Sequence, residues 1–445
     1  MPKYFTAPIG TSDILPSEHD HFTFVKKVIR HRFRQAGFRR INTPTFEDTA
    51  AYERSLGSDS EIMARELYSF EDRQGRSFSL RPEMTTGVIR SFIENKMDEG
   101  PLPVELYYIA PCYRFERPNS RTQRQFWQIG AEVIGESDPS IDAQLIFLAH
   151  KILEDLEIRP FTTLKINTMG SVEDRQQFYE ALENFYRGKE RSLSEVTQER
   201  LKNKRYLDLL SPRNEDEEIL LDMAPKLCDF LSPKSKAFFD QVIEYVESFG
   251  IEYEIDPKLV RPIGFYTNTI FEFHEESSTK KVLVGGRYDN LVEKMGGKPN
   301  GGVGFSAGFE RITKMMKDHE IDVPHKDTIQ IFLAATGPVA KKKALPLLVK
   351  LREHGFHAVG VLGKTSMQEQ LTRAEKFNVP FTLLMGDIEV KKGQIIVRNM
   401  TTRKQEWIDV DDVIPHMDEL LGVPKDFIKR NKEVLDTTID FLGHE

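Results

Sequence analysis

Polar and apolar residues alternate along residues 113–135, YRFERPNSRTQRQFWQIGAEVIG, on either side of a loop dense in arginine. Because successive side chains of a strand point to opposite faces, this pattern predicts two strands joined by that loop. The first strand would place Arg114 and Glu116 on one face. The second would place five residues on one face: Arg124, Phe126, Gln128, Gly130 and Glu132. The glycine predicts a hollow in which an arginine, an amide and a carboxylate could hold a small ligand with an amine and an anion.

A second pattern lies far downstream, in residues 301–311, GGVGFSAGFER. It predicts a glycine-rich turn that enters a helix carrying Arg311. Glycine lets the backbone approach a ligand closely, and a helix N-terminus favours phosphate. Such a turn alone is more often plain turn chemistry, but its combination with the arginine hairpin is specific.

The remaining patterns predict the domain organisation. An apolar stripe from Phe22 to Phe33 predicts an early helix. From about residue 171 to 250 the chain changes to long, charged helical stretches. After a boundary near His325, strand and helix patterns alternate, which predicts a small α/β domain with a partly parallel sheet. Residues 416–445 are predicted to form a helical tail.

The composition narrows the class of protein. The length of 445 residues predicts about three domains, and 39% apolar residues suffice for ordinary cores. Two cysteines, Cys112 and Cys228, provide neither a disulfide framework nor a CxxC metal site, so we expect a reducing compartment. The chain has no charged-then-apolar leader and no long apolar run, which predicts a cytoplasmic protein without membrane spans. A net charge of −8 argues against a chain that is basic throughout, but not against local contacts with nucleic acid.

The arginine hairpin and the GxGxxxGxER segment together resemble motifs 2 and 3 of the class II aminoacyl-tRNA synthetases. Residues 37–47, GFRRINTPTFE, resemble motif 1, whose proline, here Pro44, lies at the dimer interface in that family. Three further segments resemble signature regions of the histidyl-tRNA synthetase family: LRPEMTTG, VRPIGFYTNTIFEF and GGRYDNLV. The resemblance covers nearly the whole chain.

This resemblance implies an α+β catalytic core at residues 1–325, with a mainly antiparallel class II sheet and a helical insertion at about 171–250. It implies a C-terminal α/β anticodon-binding domain at 326–415, followed by the tail at 416–445. It also implies a homodimer that acts on L-histidine, ATP and histidine tRNA. ATP would be a substrate, with Mg²⁺ bound mainly through its phosphates.

The implied activity is that of a histidine–tRNA ligase, in which the histidine carboxylate attacks the α-phosphate of ATP. Arg114 and Arg311 match the ATP-clamping arginines, and we group Glu116 with them. Arg261 matches an arginine that bridges the carboxylate and the α-phosphate, because a guanidinium stays charged and binds two oxygens at once. The implied histidine pocket has Glu83, Thr85 and Gln128 on the ammonium side and Glu132 and Tyr266 on the imidazole side, with Arg261 and Phe265 beside them.

The chain departs from the family pattern at two places. Where the usual run is RGLDYYT, this chain reads RPIGFYT, with Pro262, Gly264 and Phe265 in place of glycine, aspartate and tyrosine. In the motif 2 loop the usual PQ-x-G-R-Y-R is PNSRTQR, so Asn119 replaces a glutamine and Arg121 is offset by one position.

Other classes of protein share parts of this pattern. A histidine-sensing regulatory paralogue of ATP phosphoribosyltransferase keeps the catalytic fold, but such chains generally lack the anticodon domain and degrade motif 3. A synthetase-like module that binds uncharged tRNA is normally part of a longer chain. Other class II enzymes are not expected to carry GGRYDNL. The eleven histidines show no paired-ligand spacing such as HExxH, so the sequence predicts no protein-bound metal.

Overall fold

The computed structural model describes residues 5–57, 60, 62–115, 123–261, 264–276, 278, 280–324, 329–360, 363 and 366–422. The chain divides into two compact units, Met1–Val323 and Pro324–Glu445. The domain limits expected from the sequence, with a boundary near His325, stay a prediction. Most of the predicted helical tail at 416–445 lies outside the described residues.

The elements are numbered in chain order. The α-helices are α1 (His19–Gln35), α2 (Thr49–Leu56), α3 (Thr85–Glu94), α4 (Pro139–Asp155), α5 (Val172–Tyr186), α6 (Glu195–Lys202), α7 (Glu215–Asp222), α8 (Pro233–Ser248), α9 (Leu291–Lys294), α10 (Phe309–Asp318), α11 (Pro338–His354), α12 (Met367–Lys376), α13 (Asp387–Lys392) and α14 (Val413–Leu421). The strands are β1 (Arg39–Arg40), β2 (Phe46–Asp48), β3 (Ser69–Glu71), β4 (Ser77–Leu80), β5 (Val104–Tyr113), β6 (Gln125–Ile134), β7 (Thr162–Thr168), β8 (Glu254–Ile255), β9 (Thr267–Glu275), β10 (Lys281–Arg287), β11 (Gly302–Gly308), β12 (Ile331–Ala335), β13 (Ala358–Gly360), β14 (Phe381–Met385), β15 (Gln394–Asn399) and β16 (Gln405–Asp409).

Eight strands of the first unit form one sheet, in the order β1-β5-β6-β11-β10-β9-β7-β8. All neighbouring pairs from β5 to β7 are antiparallel, and the short end strands β1 and β8 pair in parallel. The prediction of a mainly antiparallel α+β core is therefore confirmed. Helices α1, α4, α8 and α10 cover one face of this sheet through buried residues such as Ile29, Leu153, Val242 and Ile312. A separate three-stranded sheet has the order β2-β4-β3.

The predicted hairpin at residues 113–135 exists, but its first strand lies earlier in the chain. β5 and β6 pair from Val104 opposite Ile134 to Tyr113 opposite Gln125. Residues 104–113 are mostly buried and apolar on both faces, so they lack the alternation that marked the segment after them. Arg114 therefore follows β5 rather than lying within it. Glu116 and the loop up to residue 122 lie outside the described residues.

The glycine-rich segment is a central strand, and the prediction of a turn was wrong. β11 spans Gly302–Gly308 between β6 and β10, and α10 begins at Phe309, so Arg311 does lie on a helix. The glycines of this strand have no positive φ. Their small size serves close packing against side chains of the neighbouring strands, which local sequence does not reveal.

The residues between β7 and β8 form α5–α8 and short 3₁₀ turns. The first three of these helices have a core of their own, which includes Phe178, Leu182 and Leu221. Arg175 on α5 connects this region to the sheet, because its Nη1 donates a hydrogen bond to the carbonyl oxygen of Tyr266 at 3.1 Å.

The second unit contains a five-stranded sheet in the order β13-β12-β14-β15-β16. β12 pairs in parallel with β13 and β14, whereas β14–β15 and β15–β16 are antiparallel. One core contains Leu347 of α11 and Met417 of α14, and a second contains Ala374 of α12. The prediction of a C-terminal α/β domain with a partly parallel sheet is confirmed.

Candidate active site

A cavity of about 280 Å³ opens on the face of the eight-stranded sheet opposite α1 and α4. Its walls include seven residues that the sequence predicted to form a site: Glu83, Thr85, Arg114, Gln128, Arg261, Phe265 and Tyr266. Glu132 and Arg311 are not among the lining residues, and Glu116 lies outside the described part of the chain. The fold thus brings together side chains from two distant parts of the sequence.

Glu83 stands at the N-terminus of α3. Its Oε2 accepts a hydrogen bond from the Thr85 N–H at 2.5 Å, and its Oε1 accepts one from the Thr86 N–H at 3.0 Å. The carboxylate therefore caps the helix, where free N–H groups and the helix dipole favour negative charge. Each oxygen keeps a further lone pair, so this capping role is compatible with binding a ligand ammonium.

Gln128 presents a hydrogen-bond donor to the cavity. Its Oε1 accepts from the Met84 N–H at 3.0 Å, and the Cys112 thiol lies 3.6 Å from the same oxygen. The Nε2 amino group is consequently the end that remains for a ligand. The sequence assigned Gln128 to an ammonium, but an amide N–H group complements an acceptor such as a carboxylate.

Glu132 is buried behind Thr85. Its Oε1 accepts hydrogen bonds from the Thr85 hydroxyl at 2.8 Å and the Tyr108 hydroxyl at 3.3 Å, and its Oε2 accepts one from the Tyr288 hydroxyl at 2.5 Å. Burial raises the pKa of Glu132 from 4.5 to about 7, although these hydroxyls counteract the shift. This side chain is therefore poised to change its charge near neutral pH.

The hollow predicted at Gly130 is filled. A Cβ atom at this position would lie 2.4 Å from the Tyr108 hydroxyl oxygen and 2.4 Å from the carbonyl oxygen of Phe305. The alternation along the segment predicted the correct face of β6 but could not indicate that a tyrosine of the neighbouring strand occupies the space. The ligand-sized space lies instead beside Gln128 and Thr85.

Gly304 makes room for the Glu132 carboxylate. It lies opposite Glu132 in the β6–β11 ladder, and a Cβ at position 304 would stand 1.8 Å from Oε2 of Glu132. No side chain larger than hydrogen fits beside this oxygen without moving it. Gly304 is thus explained by a buried carboxylate, and Gly302 by the Tyr288 ring, which lies 2.3 Å from its Cβ position, rather than by a phosphate-binding turn.

The GGRYD segment has a structural part in the site. Arg287 is fully buried and pairs with the equally buried Asp142 through Nη2, and its Nη1 donates to Asp289 Oδ1 at 3.1 Å. Asp289 also accepts hydrogen bonds from the Thr267 hydroxyl and the Asn268 side chain, both at 2.9 Å. This network fixes the end of β10, from which Tyr288 reaches Glu132.

Arg261 approaches the cavity from the segment before β9. Its Nη1 donates to Oε1 of Glu272 at 3.0 Å, and its guanidinium lies 5.3 Å from the centre of the Tyr266 ring. The Nε atom is buried and has no hydrogen-bond partner within the described residues. Burial alone would lower the pKa of Arg261, but Tyr266 and Glu272 outweigh burial and raise it. Arg261 is therefore a permanent cation with a donor left over.

Glu272 is a residue of the site that sequence reasoning did not single out. It is fully buried, and it accepts from Arg261, from Lys281 Nζ at 3.0 Å and from His274 Nε2 at 2.8 Å. Burial by itself would raise the pKa of Glu272, but these three partners hold it below its usual value. The FEF run alone did not indicate this, since a glutamate that alternates with two phenylalanines on a strand is equally typical of a solvent-exposed face.

Arg114 lines the cavity, and Arg311 lies next to one of the lining residues. Arg114 donates from Nε to the Pro82 carbonyl oxygen at 2.9 Å and lies 5.3 Å from the centre of the Phe126 ring. Arg311 is the third residue of α10, and its Cβ lies 3.8 Å from the Cβ position of Gly308, which lines the cavity. The two arginines predicted to act together thus flank the same end of β11 and β6.

Arg81 secures the segment that contains Pro44. Its Nη1 donates to the carbonyl oxygens of Thr43 at 2.8 Å and Pro44 at 3.1 Å, and its Nε donates to the Pro111 carbonyl at 2.7 Å. The predicted motif 1 segment is therefore tied directly to β5, close to Glu83. Sequence reasoning assigned no role to this arginine.

Two further observations concern metals and membranes. Within the described ranges, no group of three or more His, Cys, Asp or Glu side chains converges in a way that could hold a metal ion. None of the helices described has both the length and the apolar character needed to cross a membrane.

Comparison with known proteins identifies the family. The family model of histidyl-tRNA synthetase matches residues 10–312, and that of the anticodon-binding domain matches residues 330–420. The histidine–tRNA ligase of Geobacillus sp. (strain WCH70) is 36% identical over 94% of this chain and 100% of its own length. That of Halothermothrix orenii is 35% identical over 93% of this chain and 99% of its own length.

Solved structures agree with these matches. The apo histidyl-tRNA synthetase of S. aureus superposes with a TM-score of 0.77 and 30% identity, over 93% of this chain and 99% of that one. The relatives include the C-terminal domain in the match, which does not favour a regulatory paralogue that lacks it. From its sheet, its site and these relatives, the chain belongs to the histidyl-tRNA synthetase family of class II aminoacyl-tRNA synthetases.

Proposed function

We propose that this protein is a histidine–tRNA ligase that joins L-histidine to ATP as histidyl-adenylate and then transfers histidine to the 3′ end of histidine tRNA. The observation that carries the proposal is one cavity that holds Arg114 and Arg261 together with Glu83 and Gln128. These groups offer cations for a phosphate, an anion for an ammonium and an amide for a carboxylate. These groups complement the ammonium and carboxylate of an amino acid and the phosphate of a nucleotide bound beside it.

Activation brings two anions together, because the carboxylate of histidine attacks the α-phosphate of ATP while pyrophosphate leaves. The protein must therefore supply fixed positive charge rather than a covalent nucleophile. Arg261 is suited to bridge the two anions, since its Nε donor is buried without a partner among the described residues. The nearby Cys112 is not suited to be a nucleophile, because burial raises the pKa of its thiol to about 12.

Histidine recognition is proposed to use residues at the N-terminus of α3, on β6 and just before β9. Glu83 would bind the ammonium, and Gln128 would donate to the carboxylate. Tyr266 and Phe265 would flank the imidazole. Glu132 would place negative charge on the imidazole side, behind the Thr85 hydroxyl that donates a hydrogen bond to it. A pocket built to hydrogen bond a ring N–H rejects analogues that lack it, because its own polar groups would stay unpaired.

ATP is proposed to lie between Arg114 and Arg311, with Glu116 beside it. The side chains described at the cavity do not form an acidic cage, so Mg²⁺ is proposed to enter on the phosphates of ATP, which suits an ion that retains most of its water ligands. When bound, Mg²⁺ would neutralise phosphate charge. The residues of this chain would orient the nucleotide.

The protein is proposed to act as a homodimer in the cytoplasm, where the tRNA substrate is used. The phenyl rings of Phe46, Phe70 and Phe78 cluster on the three-stranded sheet, and Phe46 and Phe70 are 48% and 44% exposed. Phe46 follows Pro44 closely, and exposed aromatic clusters are typical of association surfaces. The second unit is proposed to contact the anticodon.

The test is histidine-dependent exchange of pyrophosphate into ATP by the purified protein, with the other amino acids as controls. We expect exchange with histidine alone. Arg261→Ala should lower the exchange rate by more than it weakens histidine binding, whereas Arg30→Ala, on the exposed side of α1, should leave both unchanged. Binding of histidine without any exchange would contradict the proposed ligase activity.

A further inference from the structure

The β9–β10 ladder contains one extra residue at the edge of the cavity. Val284 lies opposite Glu272 and Leu283 opposite Phe273, as in a regular antiparallel pair, but Lys281 lies opposite His274. An uninterrupted ladder would have placed Lys281 opposite Glu275. Val282 is therefore the inserted residue of a β-bulge.

The bulge decides where the Lys281 side chain points. Alternation along an uninterrupted strand would put Lys281 on the same face as Leu283, which is buried in the apolar core beneath the sheet. With the extra residue, Lys281 shares the face of Glu272 and His274. It accordingly lines the cavity next to Val282 and Val284. Bulges beside active sites commonly re-aim a side chain in this way.

The charges at this edge do not balance. Oε1 of Glu272 accepts from both Arg261 Nη1 and Lys281 Nζ, each at 3.0 Å, so one carboxylate is shared by two cations. Glu272 is fully buried, whereas the Lys281 side chain is 46% exposed and can extend toward a ligand. Its neighbour Arg261 has a donor without a partner within the described residues. The wall of the cavity thus presents excess positive charge.

We propose that Lys281 is a further cation of the activation site, which binds a non-bridging oxygen of the α-phosphate of ATP together with Arg261. The inference rests on the proposed function and adds a residue to it. A histidine carboxylate oxygen forms the new bond to phosphorus, the bond to the pyrophosphate oxygen breaks, and pyrophosphate leaves with that electron pair. Lys281 keeps its proton throughout and stabilises the charge on the phosphate oxygens.

The variant Lys281→Met tests this assignment, with Lys280→Met as the matched control because Lys280 is the adjacent exposed lysine. A charge-assisted hydrogen bond to a transition state predicts that Lys281→Met lowers the maximal exchange rate about 10-fold to about 100-fold. Lys281→Arg should recover part of the loss, and Lys280→Met should match the unmodified protein. An unchanged rate in Lys281→Met would overturn the proposal.

A second measurement separates contact with the phosphate from a merely structural effect. The two diastereomers of ATP with sulfur on the α-phosphorus replace one or the other non-bridging oxygen. Lys281→Met should change the ratio of exchange rates for the two diastereomers, and Lys280→Met should not. An equal loss for both would assign Lys281 to the support of Glu272 and overturn the proposal. Absence of exchange in the unmodified protein would instead refute the proposed ligase function itself.

Discussion

The hydroxyl of Tyr288 donates a hydrogen bond to Oε2 of Glu132 over 2.5 Å, across the strand that separates them. Glu132 lies on β6 and Tyr288 directly follows β10, and β11 runs between these strands. The bond passes beside Gly304, which has no side chain to block it. Three consecutive strands are thus joined by one buried polar contact.

Gly304→Ala should disrupt this contact. The new Cβ would stand 1.8 Å from the Glu132 oxygen, so the carboxylate or the strand has to move, and we expect a loss of about 1–3 kcal/mol in the free energy of unfolding. Gly308→Ala is the control on the same strand, because its nearest neighbour would be at an ordinary 3.8 Å. Denaturant unfolding of both variants checks the prediction, and equal stability of the two would contradict it.

The ionisation of Glu132 should make stability depend on pH. Since burial raises its pKa from 4.5 to about 7, the folded chain holds a proton that the unfolded chain has already released. The contribution to the free energy of unfolding is therefore largest below pH 4.5 and is lost as the pH rises to about 7, at up to about 1.4 kcal/mol per pH unit.

Glu132→Gln should flatten the pH dependence in that window. The measurement is denaturant unfolding at about pH 5 and about pH 7, with the exposed Glu180→Gln as control. A decline in the Glu132→Gln variant as steep as in the unmodified protein would show that Glu132 is not the responsible group.

Glu272→Gln should destabilise the protein strongly. The substitution leaves Arg261, Lys281 and His274 without their shared anion, and breaking a buried ion pair in this manner costs about 3–5 kcal/mol. Because the pKa of Glu272 is held below its usual value, its contribution is present above pH 4.5 and is lost as the pH falls below that value. The unfolding temperatures of the unmodified protein and Glu272→Gln should differ at neutral pH and become similar in acid. A difference that is the same at both pH values would argue against the ion pair.

The buried pair of Arg287 and Asp142 can be tested by a double-mutant cycle. Arg287→Met leaves the buried Asp142 without its cation, and Asp142→Leu leaves the buried Arg287 with only the partly exposed Asp289, so each should cost about 3–5 kcal/mol. The double variant removes both charges and should be less destabilised than the sum of the single variants. Denaturant unfolding of the four proteins gives the coupling energy, and simple additivity would be the contrary result.

The exposed aromatic cluster predicts the assembly state. The substitutions Phe46→Glu and Phe70→Glu, introduced together, would place two charges in the proposed dimer interface, where they would be desolvated without partners. We expect a monomer in light scattering. Phe147→Glu on α4 is the matched control, since this phenylalanine is 38% exposed elsewhere on the unit. If the double variant remained a dimer, the interface would have to lie on another surface.

Much of the fold follows from local patterns, because the apolar stripe of α1, the charged helices of the insertion and the alternating C-terminal elements are each encoded within a short window. Much of the cavity wall could be named as well, since Glu83, Gln128 and Arg261 lie in segments with a family resemblance. Their roles stay predictions.

The features that local sequence patterns did not predict depend on contacts between distant parts of the chain. β5 lacks alternation because both its faces are covered, and Gly304 of β11 makes room for a carboxylate on another strand. The position of Lys281 depends on the register of β10 against β9, which no single segment contains. The direction of such a side chain depends on how two strands pair, so the pattern of either strand alone cannot predict it.

The place of β11 between β6 and β10 also bears on the order in which the site comes into being. During synthesis β6 leaves the ribosome with one edge unpaired, and β11 follows only after α4–α9 and four further strands have been made. The complete surroundings of Glu132 therefore require residues made more than 150 positions later, because Gly304 and Tyr288 both lie against its carboxylate. The burial that raises the pKa of this early residue is thus completed only by late segments of the chain.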